Sequence, residues 1–340
     1  MTELKTFETI PDGFWTVPVT GLKDLLGGPS LFYLKGAREP ALFVSTLLHG
    51  NETTGFEAVR DVLRRHIEAG MPRSLWLFLG NVDAAAEGLR FLPGQADYNR
   101  VWPHTPMTGL PEIALMQEVV KRVTAEPLFA SVDIHNNTGR NPHYGCINKL
   151  ETPYLHLAAL FSRTTVYFTE PRGVQSIAMA DHCPAVTLEC GQVGDASAHK
   201  HAVDYLEACL RLHHIPDHPI ASGDIGLLHT VAVVKVKPGL SIGFDPDDTD
   251  ISFRQDIDHF NFGRMPSGSV LASVKGEDMP VYVTDENGND ITDSLFDLRN
   301  GLLILREDII PSMATPDARV IRQDCVFYVM EQLGVAHLPA

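Results

Sequence analysis

Residues 48–55 read Leu-His-Gly-Asn-Glu-Thr-Thr-Gly, and they directly follow an apolar run that predicts a buried strand over residues 41–48. The stretch places the imidazole of His49 and the carboxylate of Glu52 three positions apart, where the strand gives way to a glycine-bounded helix. A second imidazole, His135, ends another apolar run. Because proteins with alternating strands and helices place their sites at strand ends, we expect these three side chains to meet.

Two imidazoles and one carboxylate are a ligand set for catalytic zinc, which keeps its fourth position open for water. The His-x-x-Glu spacing is weak evidence by itself, because a chain with 15 histidines contains about one such pair by chance. A solvated helix cap beside a carboxylate would give the same pattern. The strand-end position of both imidazoles favours a metal site. No thiolate lies within the motif, so we expect none of the cysteines to be a ligand.

The composition restricts the class of partner. The chain has 27 basic and 43 acidic residues and a net charge of −16, which argues against nucleic-acid and anionic-membrane partners. It does not exclude a small anionic substrate, because a local arginine cluster can dominate a pocket. No run approaches the roughly 18 apolar residues of a membrane span, and five scattered cysteines indicate reduced thiols in the cytoplasm. The sequence leaves the oligomeric state open, a homo-oligomer being one alternative.

Strand and helix patterns alternate as far as about residue 213, which predicts an α/β fold with a mixed or mostly parallel sheet flanked by helices. Helical periodicity then disappears around Pro216 to Pro219. We therefore predict a catalytic domain over residues 1–215 and a smaller C-terminal β domain over residues 220–340. The β-like runs of the second domain lie at residues 226–236, 269–274, 280–284 and 289–292.

Further polar segments follow the first motif in a characteristic order. The chain contains His49-Gly50-Asn51-Glu52, Asn81-Val82-Asp83-Ala84 with Arg90, Asp97-Tyr98-Asn99-Arg100, Asp133-Ile134-His135 and Glu189-Cys190-Gly191. In order and approximate spacing over residues 49–191 they resemble the succinylglutamate desuccinylase and aspartoacylase family, a branch of the zinc carboxypeptidase fold. The C-terminal third matches that family only in its general β character.

The resemblance implies one Zn²⁺ per chain, held by His49, Glu52 and His135. It also implies that Glu189 is the general base that activates water and the general acid that protonates the leaving amine. Asp133 lies two residues before His135 on the same strand face, so it could fix the tautomer of that imidazole. An Asp in an ordinary strand-end network is the alternative.

The arginines of the motif imply a substrate with negative charge. By resemblance, Arg90 stabilises the oxyanion, and Asn99 with Arg100 holds the α-carboxylate of the substrate. The sequence departs from the family at the arginine that reads an acidic side chain, because alignment puts Met179 or Gln175 there. We therefore expect neutral N-acyl amino acids to compete well with acidic ones, unless Arg172 acts as the reader.

These observations predict a zinc-dependent deacylase that cleaves a small N-acyl amino acid by attack of metal-activated water. A metallocarboxypeptidase acting on short peptides is the alternative within hydrolases, since it would use the same ligands and carboxylate clamp. A non-catalytic metal-binding or ligand-sensing protein is the alternative from another class. Such a protein would be expected to have lost Glu189 or a metal ligand, and this chain retains them all.

Overall fold

The computed structural model describes residues 3–244 and 248–334, and the chain divides there into two units. The first unit comprises residues 3–136 and 143–226, and the second comprises residues 137–142 and 227–334. A large mixed sheet flanked by helices dominates the first unit, and the second unit contains a separate smaller β-sheet, as the sequence predicts.

Eight strands of the first unit build one mixed sheet, in the order β1-β2-β4-β3-β5-β8-β6-β7. The strands are β1 (Lys5–Phe7), β2 (Ser30–Leu34), β3 (Ala41–Thr46), β4 (Leu75–Leu79), β5 (Leu128–Asn137), β6 (Tyr144–Ile147), β7 (Thr164–Tyr167) and β8 (Ala185–Gln192). Strand β3 runs parallel to both β4 and β5, whereas β2 is antiparallel to β4 and β6 is antiparallel to β8. All six residues of β3 are buried, as expected of a central strand covered on both faces.

Helices connect these strands. They are α1 (Leu22–Leu26), α2 (Thr54–His66), α3 (Val82–Ala86), α4 (Pro111–Val123), α5 (Thr152–Phe161), α6 (Gln175–Met179) and α7 (Ala196–Arg211), with a 3-10 turn at Val19–Gly21. Helix α2 buries Phe56, Val59 and Leu63, as its periodicity predicts. It ends at His66, however, and Ile67, which the pattern places on the same apolar face, is 38% exposed.

The second unit consists mainly of short strands. They are β9 (Gly226–Val236), β10 (Ile242–Phe244), β11 (Ile251–Phe253), β12 (Val270–Val274), β13 (Val281–Asp285), β14 (Phe296–Arg299), β15 (Leu302–Leu305), β16 (Ile310–Ser312) and β17 (Phe327–Gln332), together with α8 (Thr292–Leu295), α9 (Ala318–Gln323) and a 3-10 turn at Ile257–Phe260. One sheet has the order β10-β11-β12-β15-β14, and β9 pairs with β13 and β17. The strand predicted at residues 289–292 is wrong: only Asp290 makes a bridge, and Thr292 begins α8.

None of the helices in residues 3–244 and 248–334 has the length and apolar character needed to cross a lipid bilayer.

Candidate metal centre and active site

The side chains of His49, Glu52 and His135 converge in the first unit. The Nδ1 atom of His49 lies 2.8 Å from Oε1 of Glu52, and Nδ1 of His135 lies 2.8 Å from Oε2 of the same carboxylate. All three residues are buried, and one potential ligand atom from each lies within 4.8 Å of the other two. Within the described ranges, this is the only group of three or more His, Cys, Asp or Glu side chains with such spacing.

The strand order explains why these residues meet. His49 and Glu52 lie in the short connection between β3 and α2, and His135 lies near the end of the neighbouring strand β5. Strands β3 and β5 are parallel, with Thr46 paired to Ile134, so both chains deliver their polar residues to the same edge of the sheet. The connection lies close against α3, because a β-carbon on Gly50 would stand 2.2 Å from the backbone nitrogen of Ala85.

A second carboxylate stands behind each imidazole. Nε2 of His135 lies 2.7 Å from Asp133, whose other oxygen accepts a 2.6 Å hydrogen bond from the hydroxyl of Ser45. Nε2 of His49 lies 3.0 Å from Asp97. Both imidazoles therefore direct Nδ1 toward Glu52 and Nε2 toward a carboxylate, which is the arrangement that orients histidine ligands of metals.

The electrostatics of this group favour a cation. Burial raises the pKa of Glu52, but the charges and hydrogen bonds of His49 and His135 outweigh burial and hold that pKa far below its ordinary value. Burial lowers the pKa of His135, but Asp133 and Glu52 outweigh it, and the result lies well above the ordinary value. The carboxylates thus stabilise positive charge between them. A buried set of two imidazoles and a carboxylate with this preference fits a divalent metal such as zinc.

Glu189 lies on β8, the strand next to β5 in the sheet. Desolvation by the surrounding protein, with smaller contributions from Glu52 and Asp133, raises the pKa of Glu189 to about 8, although His135 and Arg90 oppose the shift. The position of β8 beside β5 and the influence of His135, Glu52 and Asp133 on this pKa agree in placing Glu189 near the candidate ligands. A carboxyl group with a raised pKa beside a metal-ligand set is a candidate general base.

Arg90 lies at the edge of the ligand group and contacts two carboxylates, that of Glu52 within the group and that of Asp97 beside it. Its Nη2 is 3.0 Å from Oδ2 of Asp97, and its Nη1 is 3.7 Å from Oε1 of Glu52. Burial raises the pKa of Asp97, but Arg90 and His49 outweigh it and hold the pKa well below its ordinary value. Asp97 therefore stays ionised and holds both the guanidinium and the imidazole in place.

Asn99 and Arg100 occupy different environments. Oδ1 of Asn99 accepts a 3.0 Å hydrogen bond from the backbone nitrogen of Gln175. Its Nδ2 lies 3.3 Å from Nε2 of His135, but that ring nitrogen already donates to Asp133, so the amide hydrogens are not accepted there. Arg100 donates a 2.8 Å hydrogen bond to the carbonyl of Asn99, and its charge helps to lower the pKa of Asp97. Both residues thus lie near the centre, with Asn99 as part of its hydrogen-bonded frame.

The positions considered for an acidic-side-chain reader carry no buried cation. Gln175 and Met179 are fully buried, and Nε2 of Gln175 donates to the hydroxyl of Ser131 at 2.7 Å. The side chain of Arg172 is 65% exposed and pairs with Glu170 at 2.9 Å.

Asn136 joins several parts of this site, and its role was not predicted from the sequence. This residue follows His135 directly and contacts Glu52, Thr54 and Gly191. Its position directly after His135 is the feature of the sequence that could have pointed to a role in the site. Its hydrogen-bond partners, however, lie 55 to 84 residues away along the chain. The fully buried Cys190 adjoins Glu189, and no cysteine belongs to the ligand group.

Comparison with solved structures shows the same fold in several proteins of low sequence identity. Succinylglutamate desuccinylase from Chromobacterium violaceum has 18% identity and a TM-score of 0.58, over 88% of this chain and 86% of that one. A succinylglutamate desuccinylase/aspartoacylase from Rhodobacter sphaeroides has 18% identity and a TM-score of 0.58, over 88% of each chain. Murine aminoacylase 3 has 16% identity and a TM-score of 0.55, over 87% of this chain and 97% of that one.

Comparison with curated proteins gave no match. The family model of the succinylglutamate desuccinylase/aspartoacylase catalytic domain matches residues 38–212, which is more than half of the chain and contains every residue of the candidate site. The chain therefore belongs to the succinylglutamate desuccinylase/aspartoacylase family.

Proposed function

We propose that this chain is a zinc-dependent hydrolase that cleaves the amide bond of a small N-acyl amino acid. The observation that carries the proposal is the convergence of His49, Glu52 and His135 beside Glu189, a carboxyl group with a raised pKa. Family membership supports it, since the family is named for enzymes that remove acyl groups from amino acids. All these residues lie within the predicted catalytic domain, residues 1–215.

His49, Glu52 and His135 are the residues that would hold the zinc ion. Bound there, zinc would supply a Lewis acid for the amide carbonyl and would lower the pKa of a water molecule toward about 7. The two imidazoles already present Nδ1 to this position because Asp97 and Asp133 hold their Nε2 atoms. Little reorganisation is therefore needed on binding.

Glu189 is the proton carrier of the proposed reaction. A carboxylate whose pKa lies above its ordinary value is a stronger base than an exposed one, so Glu189 can take a proton from the attacking water. The same group can then protonate the amine as the C–N bond breaks. To Arg90, which Asp97 holds at the edge of the ligand group, we assign the stabilisation of negative charge on the carbonyl oxygen.

Arg100 is the cation that we assign to the free carboxylate of the substrate, because a guanidinium can bind a carboxylate through two parallel hydrogen bonds. In this clamp we assign Nδ2 of Asn99 to the substrate carboxylate, because Oδ1 is already bonded to the backbone nitrogen of Gln175 and the neighbouring Nε2 of His135 is a donor. The five cysteines are buried and none forms a disulfide, which supports the predicted cytoplasmic location.

The proposal is tested by metal analysis and turnover of the purified protein. We expect zinc as the main metal and hydrolysis of N-acetyl-leucine and N-acetylaspartate at comparable efficiency. Glu189→Gln should lose about 10²–10⁴-fold in kcat, the usual contribution of a general acid-base group. Glu118→Gln is the matched control, because Glu118 pairs with Lys121 and Arg122 on the surface of α4. Retained turnover in Glu189→Gln would contradict the mechanism.

The same assay separates the alternatives. Preference for C-terminal dipeptides over N-acyl amino acids would favour the carboxypeptidase. Full metal occupancy without turnover of any substrate would favour the non-catalytic protein. Strong preference for N-acetylaspartate, lost in Arg172→Ala, would show that Arg172 reads the side chain despite its exposed position.

A comparison of N-acetyl-leucine with N-acetyl-leucinamide tests the carboxylate clamp. We expect the acid to exceed the amide by about 100-fold in kcat/KM, because a desolvated guanidinium without its partner costs several kcal/mol. Arg100→Ala should remove most of this preference. Equal rates on the acid and the amide in the unsubstituted protein would remove Arg100 from the clamp.

A further inference from the structure

We propose that Asn136 is a positioning residue, which fixes the segment carrying Glu189 in place relative to the candidate metal ligands. The inference rests on the proposed function, because it concerns the geometry between the proposed general base and the ligand group. Asn136 is 4% exposed and follows His135 within β5.

The hydrogen bonds of Asn136 join three parts of the site. Its backbone nitrogen donates to Oε2 of Glu52 at 3.1 Å. Its side-chain Oδ1 accepts from the backbone nitrogen of Thr54 at 3.2 Å, and Nδ2 donates to the hydroxyl oxygen of Thr54 at 2.9 Å. The same Nδ2 also donates to the carbonyl oxygen of Gly191 at 2.9 Å. One amide thus connects the start of α2, the strand of His135 and the end of the strand of Glu189.

The backbone conformation of Gly191 is one that favours glycine at this contact. Its φ of +80° lies in the left-handed region, which an L side chain rarely adopts. A β-carbon there would also stand 3.3 Å from the ring of His143. The backbone near the end of β8 therefore adopts a conformation that favours glycine, and the carbonyl of Gly191 meets the amide of Asn136 there.

Only a primary amide of this length satisfies all the partners. Nδ2 supplies two hydrogens, one for Thr54 and one for Gly191, while Oδ1 accepts the backbone hydrogen of Thr54. A carboxylate would oppose the Gly191 carbonyl, and a shorter side chain would leave that carbonyl without this donor. Because a displacement of about 1 Å can cost about 100-fold in rate, loosening the Glu189 segment should affect the chemical step more than substrate binding.

The first test is the kinetics of Asn136→Ala with N-acetyl-leucine. We expect kcat to fall by about 100-fold while KM changes by less than about threefold. Zinc content should persist, since the backbone bond to Glu52 does not need the side chain. Thr54→Val removes one acceptor but leaves the Gly191 bond, so its kcat should fall much less. Asn148→Ala is the remote control, because Asn148 donates to the carbonyl of Phe168.

The second test does not depend on turnover. In the metal-free protein, hydrogen exchange of peptides covering residues 187–194 should become faster in Asn136→Ala, whereas Asn148→Ala should leave them unchanged. If the unsubstituted protein hydrolysed no N-acyl substrate, the proposed function would fail, and faster exchange would still support the connection between Asn136 and the β8 segment.

Unchanged exchange in that segment, or a rise in KM that accounts for the whole loss in kcat/KM, would overturn the inference. Loss of zinc from Asn136→Ala would also overturn it, because Asn136 would then act on the ligands and not on Glu189. If Asn136→Ala does not fold, Asn136→Ser gives the same comparison, since serine retains a polar group but cannot reach both partners.

Discussion

At the scale of single residues, the carboxylates behind the histidines determine what the site can bind. Asp133 and Asp97 take the Nε2 side of His135 and His49, so the Nδ1 atoms face Glu52. A histidine without such a partner could present either nitrogen. The ring orientation, and with it the nitrogen that faces the metal position, is therefore set before any ion arrives.

We predict that Asp133→Asn lowers zinc affinity by about 10- to 100-fold, the usual effect of removing a carboxylate behind a histidine ligand. Competition with a chromogenic chelator measures the change. Ser45→Ala should have a smaller effect, because Ser45 only donates to the other oxygen of Asp133. Equal affinities in the unsubstituted protein and Asp133→Asn would show that the strand alone orients His135.

At the scale of elements, two glycines allow the connection between β3 and α2 to lie against its neighbours. A β-carbon on Gly50 would stand 2.2 Å from the backbone of α3, and one on Gly55 would stand 2.3 Å from the hydroxyl of Thr46. The first turn of α2 can therefore approach β3 and β5 closely. This approach brings Glu52 to both histidines.

Gly50→Ala should lower the free energy of unfolding by about 1–3 kcal/mol or more, because the added methyl group meets backbone atoms that cannot move aside. Urea denaturation measures the loss. Gly223→Ala is the matched control, since a β-carbon there meets nothing within 4 Å and the change should stay within about 0.5 kcal/mol. If both variants were equally stable, the close approach would not constrain the connection.

At the scale of the whole molecule, the buried charges couple folding to pH and to metal. The pKa of Glu189 is raised from an ordinary value of 4.5 to about 8. Between these values the folded protein keeps a proton that the unfolded chain has released. The contribution of Glu189 to stability is thus complete below pH 4.5 and is lost as the pH rises toward 8.

We therefore predict that the metal-free protein loses stability between pH 6 and pH 8, and that part of the loss, up to about 1.4 kcal/mol per pH unit, is absent in Glu189→Gln. His135, whose pKa is also raised, contributes with the same sign in both proteins, so a larger loss of stability in the unsubstituted protein reports the proton held by Glu189. Urea unfolding at the two pH values, after treatment with a chelator, measures this difference in stability. Equal losses of stability between pH 6 and pH 8 in both proteins would contradict the assignment of the raised pKa to Glu189. Added zinc should stabilise both proteins, because it binds the folded state.

Local patterns in the sequence were sufficient for the mixed α/β class and for the three candidate ligands. Apolar runs before His49 and His135 identify strands, and the residues that follow a strand lie at a sheet edge. Short runs were harder to interpret: β2 and β6 were not predicted, because four or five buried residues show no periodicity that separates a strand from a helix.

The contacts that orient the site depend on the tertiary structure. The bond from Asn136 to Gly191 spans 55 residues, the contact of His49 with Asp97 spans 48, and the amide oxygen of Asn99 accepts from the backbone nitrogen of Gln175. The sequence indicates which residues end a strand, because an apolar run of strand length stops there. The neighbour of each strand is determined by the packing of the whole sheet. The order β3-β5-β8 therefore decides that Glu52, His135 and Glu189 share one site.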